Sequence, residues 1–195
     1  MLLKDYQGAI QDIEVARKHG AGGPAAQQAL FGAYLGRSMK RTRTEDFEGA
    51  IEDQRAADRC SPGSGMFDQN MAMIYGNRAR KKSRTRDFAG AIEDFRRAMR
   101  HSSDERLKKQ LGTVYNNRGV AKSDAGDSKS ALSDFNEALR LDSSIAITWF
   151  NRGNTRLELG DMDGSVADFK RALSLDPSIK EASRLRKFIE SAREK

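Results

Sequence analysis

Three residues of this sequence carry an imidazole or thiol, the side chains most readily drawn into nucleophilic, general-base or metal-ligand work: His19, Cys60 and His101. A zinc ion would need such groups to converge to about 2 Å from one point. Their placement argues against convergence. Each lies ten residues after the start of a short string of Ala, an aliphatic residue, any residue and Asp, and Leu141 and Leu175 occupy the same place in two later copies. A position that accepts His, Cys or Leu is a helix-end packing position. Equivalent positions of stacked helices lie on the order of 10 Å apart, too far for shared chemistry. The chain also lacks a phosphate-cradling glycine loop. These residues predict no catalytic group, no metal and no cofactor; the expectation is a chain that is not an enzyme.

A second set of charged residues repeats more strictly. Arg37, Arg78, Arg118 and Arg152 each precede an aspartate by sixteen residues: Asp53, Asp94, Asp134 and Asp168. One reading is a solvated arginine ladder for a ligand. The simpler one is that each Arg pairs with an Asp of its own helical hairpin or of the preceding one, where Asp12 could serve Arg37. Buried pairs of this kind fix register more than they add stability, and a structural role is the expectation for all eight residues.

The elements that hold these residues follow from the same string. It reads Ala9-Ile10-Gln11-Asp12, Ala50-Ile51-Glu52-Asp53, Ala91-Ile92-Glu93-Asp94 and Ala131-Leu132-Ser133-Asp134, with a looser copy at Ser165-Val166-Ala167-Asp168. The aspartates are 41, 41, 40 and 34 residues apart, a period typical of stacked supersecondary units. Ala16, Ala57, Ala98, Ala138 and Ala172 follow seven residues after the small residue of each string. Small residues seven apart make a helix stripe that another helix can approach closely. Sixteen residues upstream of four strings stand Tyr34, Tyr75, Tyr115 and Trp149, on a preceding helix. Breaks fall at Glu45-Asp46, Arg86-Asp87, Gly126-Asp127 and Gly160-Asp161. The pattern is helix A, tight turn, helix B, repeated.

Composition agrees. With 37% hydrophobic and 32% charged residues, a thick globular core is excluded, whereas thin stacked hairpins bury only one face each. No apolar run is long enough to span a bilayer, and Met1–Tyr6 is too short and too soon charged to be a signal peptide. A single cysteine makes no intramolecular disulfide, so the default compartment is the cytoplasm.

The segment from Trp149-Phe150-Asn151-Arg152-Gly153 through Leu159-Gly160-Asp161, Ser165, Phe169 and Ala172-Leu173 to Asp176-Pro177 resembles a full tetratricopeptide repeat. Tyr115-Asn116-Asn117-Arg118-Gly119 with Gly126-Asp127, Ala131, Phe135 and Ala138-Leu139 resembles another. The resemblance implies an all-α, right-handed superhelical solenoid of antiparallel helix-turn-helix repeats with a C-terminal capping helix. The expected division is a half repeat at 1–19 (helix B only), repeats at 24–61, 65–102, 103–142 and 145–177, and a capping helix at 178–195. Three repeats exceed the family length by six or seven residues before the aromatic, about two turns of helix, so three long A helices are expected. Pro24 at a first-turn position, Ser102 with Glu105, and Ser178 with Glu181 read as helix starts.

In this family the concave groove is lined by A helices. The register then implies partner-binding candidates at Arg43, Asn77, Arg80, Arg84, Asn117, Asn151 and Asn154, with Met39, Asp124 and Glu158 also groove-facing. A groove basic at one end and amide-lined in the middle suits an extended, acidic peptide or protein, and asparagines can pair with a peptide backbone. Some members clamp the C-terminal carboxylate of chaperones with Lys-x-x-x-Asn and Lys-x-x-x-Arg. Here the corresponding pairs are Leu35/Met39, Gly76/Arg80, Asn116/Val120 and Phe150/Asn154, which do not match. RNA or another polyanion is the alternative partner, favoured by the net charge of +7 and by the run Arg78, Arg80, Lys81, Lys82, Arg84, Arg86. Against it, Tyr75, Tyr115 and Trp149 fall at core positions. The uncapped N-terminal helix, with Tyr6, Ile10 and Ile13, is a candidate surface for a weak homodimer.

Overall fold

The computed structural model describes residues 5–180 and 182–191. Ten helices and no strand occur among them: α1 (Tyr6–Lys18), α2 (Pro24–Arg43), α3 (Phe47–Cys60), α4 (Met66–Arg84), α5 (Phe88–His101), α6 (Glu105–Asp124), α7 (Ser128–Leu141), α8 (Ala146–Glu158), α9 (Met162–Leu175) and α10 (Ala182–Ser191). The fold is all-α, built from antiparallel helical hairpins. None of these helices is long and apolar enough to cross a membrane.

The turns explain why the chain folds back at each break. Glu45 and Arg86 take φ of 62° and 64°, and Gly126 and Gly160 take 82° and 83°. This left-handed residue ends helix A and lets the next N–H reach back: Asp46, Asp87, Asp127 and Asp161 each donate to a carbonyl five residues earlier at 2.9 Å. The same aspartate then caps helix B, its carboxylate accepting from the N–H of Gly49, Gly90, Ser130 or Gly164 at 2.9–3.1 Å. Such a cap stabilises a helix by ~1 kcal/mol. Asp5 opens α1 in the same way through Gly8.

Helix lengths follow the inserted residues. The A helices α2, α4 and α6 have 20, 19 and 20 residues, and α8 has 13. Pro24 is the first residue of α2. The start of α6 differs from the sequence expectation: the cap is Asp104, which accepts from the Arg106 N–H at 2.9 Å, and not Ser102. An aspartate immediately before the helix reaches the N–H of the second helical residue, which a serine two residues further out cannot. Ser178 donates instead to Asp176; Glu181, its expected partner, lies outside the described residues.

The chain forms two compact units. One comprises the residues up to Lys81 together with Glu93–Ser103; the other comprises Lys82–Ile92 and the residues from Asp104 onward. In the first unit, α1 packs on α2, and Ile10, Leu30 and Ala33 form a core that Ile13, Tyr34 and Cys60 extend. This corrects the expectation of an open N-terminal face. Ile10 is 3% exposed, and the Tyr6 ring lies against Gly36 of α2, so these side chains face inward.

In the second unit, α6 packs on α7 and α8 on α9. Here the small residues permit close approach. A Cβ on Gly153 would sit 2.5 Å from the Phe169 ring, and one on Gly119 would sit 2.8 Å from Phe135. Phe135 and Phe169 are both sealed from solvent, as are Ala131, Ala138 and Ala172. Each buried aromatic of this kind contributes about 1.5–3 kcal/mol. The last apolar face is covered by α10, whose Leu185 and Ile189 join Phe169 and Ile179, with Phe188 edge-on to Phe169 at 5.6 Å.

Candidate functional site

The repeated arginines lie inside the hairpins. In each, the guanidinium spans the two oxygens of the aspartate sixteen residues on: Arg37 to Asp53 at 2.9 and 2.5 Å, Arg78 to Asp94 at 2.8 and 2.6 Å, Arg118 to Asp134 at 2.8 and 2.6 Å, and Arg152 to Asp168 at 2.8 and 2.7 Å. The aspartates are at most 3% exposed. The other face of each guanidinium covers the aromatic three residues earlier, 5.4, 5.3, 5.2 and 4.7 Å from the ring centres of Tyr34, Tyr75, Tyr115 and Trp149. Helix A supplies ring and cation on one stripe and helix B supplies the carboxylate.

A further cation also reaches these aspartates: Arg41 reaches Asp53 at 2.9 Å, Lys122 reaches Asp134 at 2.8 Å and Arg156 reaches Asp168 at 3.0 Å. Each stands four residues after the bracing Arg, the i, i+4 spacing that puts both on one helix face. That spacing is present in the sequence, where nothing tells a cation that faces the aspartate from one that faces solvent. Burial alone would raise the Asp134 carboxyl, but the hydrogen bonds from Arg118 and Lys122 outweigh it and hold it below the ordinary carboxylate range. Arg37 and Arg78 also bond Gln7 and Glu48 of the preceding B helix. Asp12, the acceptor considered for Arg37, is exposed on α1.

His19, Cys60 and His101 do not share one environment. His19 is an exposed C-cap of α1. Cys60 packs on the Ile10–Leu30 core, where burial pushes its thiol up. His101 bonds Asp68 through Nδ1 at 2.7 Å and stacks on Tyr75 at 6.0 Å. Among the described residues no three His, Cys, Asp or Glu side chains form a group that could hold a metal ion.

The remaining candidates lie at the surface. In the first unit Tyr6, Gly36, Met39, Thr42, Arg43, Met73 and Asn77 line a hollow of about 380 Å³. Its methionines are open to solvent, Met39 at 59% and Met73 at 43%. Arg43 is exposed, and its guanidinium has no hydrogen-bond or ion-pair partner among the described residues. Asn77 accepts a hydrogen bond from exposed Arg80 through Oδ1.

In the second unit Arg84 and Asn117 are exposed, and Asn151 donates to Asn116 at 3.1 Å. Asn154 borders two hollows. One, of about 320 Å³, is lined by Val120, Ser123, Asp124, Phe135, Asn151, Leu157 and Glu158; the other, of about 230 Å³, lies against Phe150, Leu185 and Phe188. Of the ring residues expected at core positions, Tyr75 and Tyr115 are buried. Trp149 is only half-buried, because its indole N–H turns outward to the Ser143 carbonyl at 2.9 Å.

Comparison with known proteins places this geometry. Two tetratricopeptide repeat family models match successive segments, residues 112–145 and 146–179. No curated protein sequence matches the chain. Among solved structures, the first TPR of Spaghetti (RPAP3) bound to the HSP90 peptide SRMEEVD is 24% identical, with a TM-score of 0.43, over 63% of this chain and 93% of that one. The TPR domain of Arabidopsis OM64 is 20% identical, with a TM-score of 0.44, over 64% and 98%. A tetratricopeptide repeat protein from Parabacteroides merdae is 18% identical, with a TM-score of 0.46, over 84% and 60%. Residues 112–179 are thus matched as two tandem tetratricopeptide repeats, and the aromatic–arginine–aspartate brace of those two hairpins recurs at Arg37–Asp53 and Arg78–Asp94.

Proposed function

We propose that this chain is a protein-interaction adaptor whose A helices receive an extended, acidic segment of another protein. The observation that carries the reading is the hollow beside α2 and α4. Two exposed methionines, an unpaired guanidinium at Arg43 and the Asn77 amide meet there. Methionine adapts its shape to varied apolar side chains, an arginine receives a carboxylate with two parallel hydrogen bonds, and an asparagine both donates to and accepts from a peptide. Arg80, and in the second unit Arg84, Asn117, Asn151 and Asn154, are the other residues proposed for partner contact. The bracing arginines are left out because their donors serve Asp53, Asp94, Asp134 and Asp168. We read the chain as a binding module and not an enzyme, since its strictly repeated Arg–Asp pairs are engaged in these braces.

The test is affinity capture with the wild-type chain beside an Arg43→Glu/Arg80→Glu/Arg84→Glu variant, followed by direct titration of whatever is captured. The expected result is a partner bound by the wild type and lost by the variant. Retention by the variant contradicts the reading. Capture of RNA with a steep salt dependence would replace the acidic protein with a polyanion; burial of Tyr75 and Tyr115 removes two of the rings that would stack on bases.

A further inference from the structure

One position of helix A changes sign along the chain. Arg43, Arg84, Asp124 and Glu158 each stand ten residues before the braced aspartate of their own hairpin. The first two are cations at a helix C-terminus, where the macrodipole favours them. Asp124 and Glu158 are the last residues of α6 and α8, where the same dipole disfavours a carboxylate. Neither forms an ion pair with the described residues. The nearest cations of their own helices are committed elsewhere: Lys122 Nζ is 2.8 Å from Asp134, and Arg156 Nη1 is 3.0 Å from Asp168.

Both carboxylates border the same 320 Å³ hollow of the second unit. Val120, Leu157 and Phe135 contribute its apolar lining, and the Asn151 and Asn154 amides line it as well. Glu158 is oriented by the Ser128 hydroxyl, which donates to its Oε2 at 2.7 Å. The hollow thus combines apolar surface and amides with two carboxylates that have no ion-pair partner among the described residues. A lysine or arginine fits that chemistry: its methylene stem covers apolar surface while its charged end stays among polar partners.

We propose that the α6–α8 hollow is a binding site for a basic side chain of a partner polypeptide, with Asp124 and Glu158 as the charge-reading residues. This rests on the protein-binding reading above but concerns a different hollow and the opposite charge. A partner satisfying both presents acidic and basic residues at separate places.

The test is an NMR titration of the isotope-labelled full chain at low ionic strength with three capped pentapeptides: Ala-Leu-Lys-Leu-Ala, its Gln counterpart and its Glu counterpart. The Lys peptide is expected to shift the Asn154 side-chain amide and the Leu157 and Val120 methyls in a saturable way, about tenfold more tightly than the Gln peptide. The preference is expected to vanish in D124N/E158Q, two changes at exposed helix ends. Equal responses to Lys and Gln, no response, shifts elsewhere, or a preference that survives in D124N/E158Q would each overturn the proposal. If the double variant does not fold, the comparison of peptides on the wild type decides. The Glu peptide reports separately on the first unit through Met39 and Asn77, so either reading can fail without the other.

Discussion

Arg118 and Asp134 meet in parallel, the guanidinium Nε and Nη2 donating at 2.8 and 2.6 Å to the two carboxylate oxygens. Lys122 Nζ adds a third contact to the same carboxylate at 2.8 Å. The loss on mutation is therefore unequal. Asp134→Ala leaves two cations facing a cavity and is expected to cost ~3–5 kcal/mol. Arg118→Ala and Lys122→Ala each leave the carboxylate a partner and are expected to cost less. Urea unfolding of the three variants checks the order. The pH dependence follows from the same contact. Asp134 is held below the ordinary carboxylate range, so its contribution is complete above that range and is lost as pH falls through its depressed value. Stability is expected to fall less steeply with acid in Asp134→Asn.

Tyr34 supplies a prediction at the other end of the pH scale. Burial and then its hydrogen bond to Glu14, at 2.7 Å, push its phenol up to about 12. A folded value above the ordinary one of about 10 means the folded state keeps the proton longer. The associated stability is present below about pH 10 and is lost as pH rises towards 12. Ultraviolet titration is expected to show a late-ionising component that is lost in Tyr34→Phe and shifted down in Glu14→Gln.

Ser165 occupies the position held by Ala50, Ala91 and Ala131 in the other complete hairpins, and all four are sealed from solvent. Its hydroxyl finds no hydrogen-bond partner. An unsatisfied buried hydroxyl costs ~1–3 kcal/mol, so Ser165→Ala is expected to raise stability by about 1 kcal/mol. Thermal and urea unfolding measure it directly.

Two helical glycines are expected to respond with opposite signs. A Cβ on Gly32, in the interior of α2, meets nothing within 4 Å, and Gly32→Ala is expected to gain about 0.5–1 kcal/mol. A Cβ on Gly153 meets the Phe169 ring at 2.5 Å, so Gly153→Ala is expected to lose ~1–3 kcal/mol despite the better helix former. Unfolding of the two single variants beside the wild type decides both.

The hairpins were legible because turn and cap share one residue: the aspartate after each break ends one helix through its N–H and starts the next through its carboxylate. The long A helices were legible because seven extra residues preserve a buried face. The start of α6 was not, since Ser102-Ser103-Asp104 offers more than one capping residue and only geometry selects Asp104. The second brace cation was hidden because Arg41, Lys122 and Arg156 look the same in sequence whether they face Asp or solvent. The N-terminal helix misled for a related reason. A missing A helix was read as an open face, whereas the apolar side of α1 turns onto α2.

The most direct test of the binding role is selection of a displayed random peptide library on the immobilised chain and on its Arg43→Glu/Arg80→Glu variant. The account predicts enriched sequences that place an acidic residue beside a bulky apolar one and that the variant no longer holds. Enrichment of the same sequences on both proteins, or of none on the wild type, would contradict it.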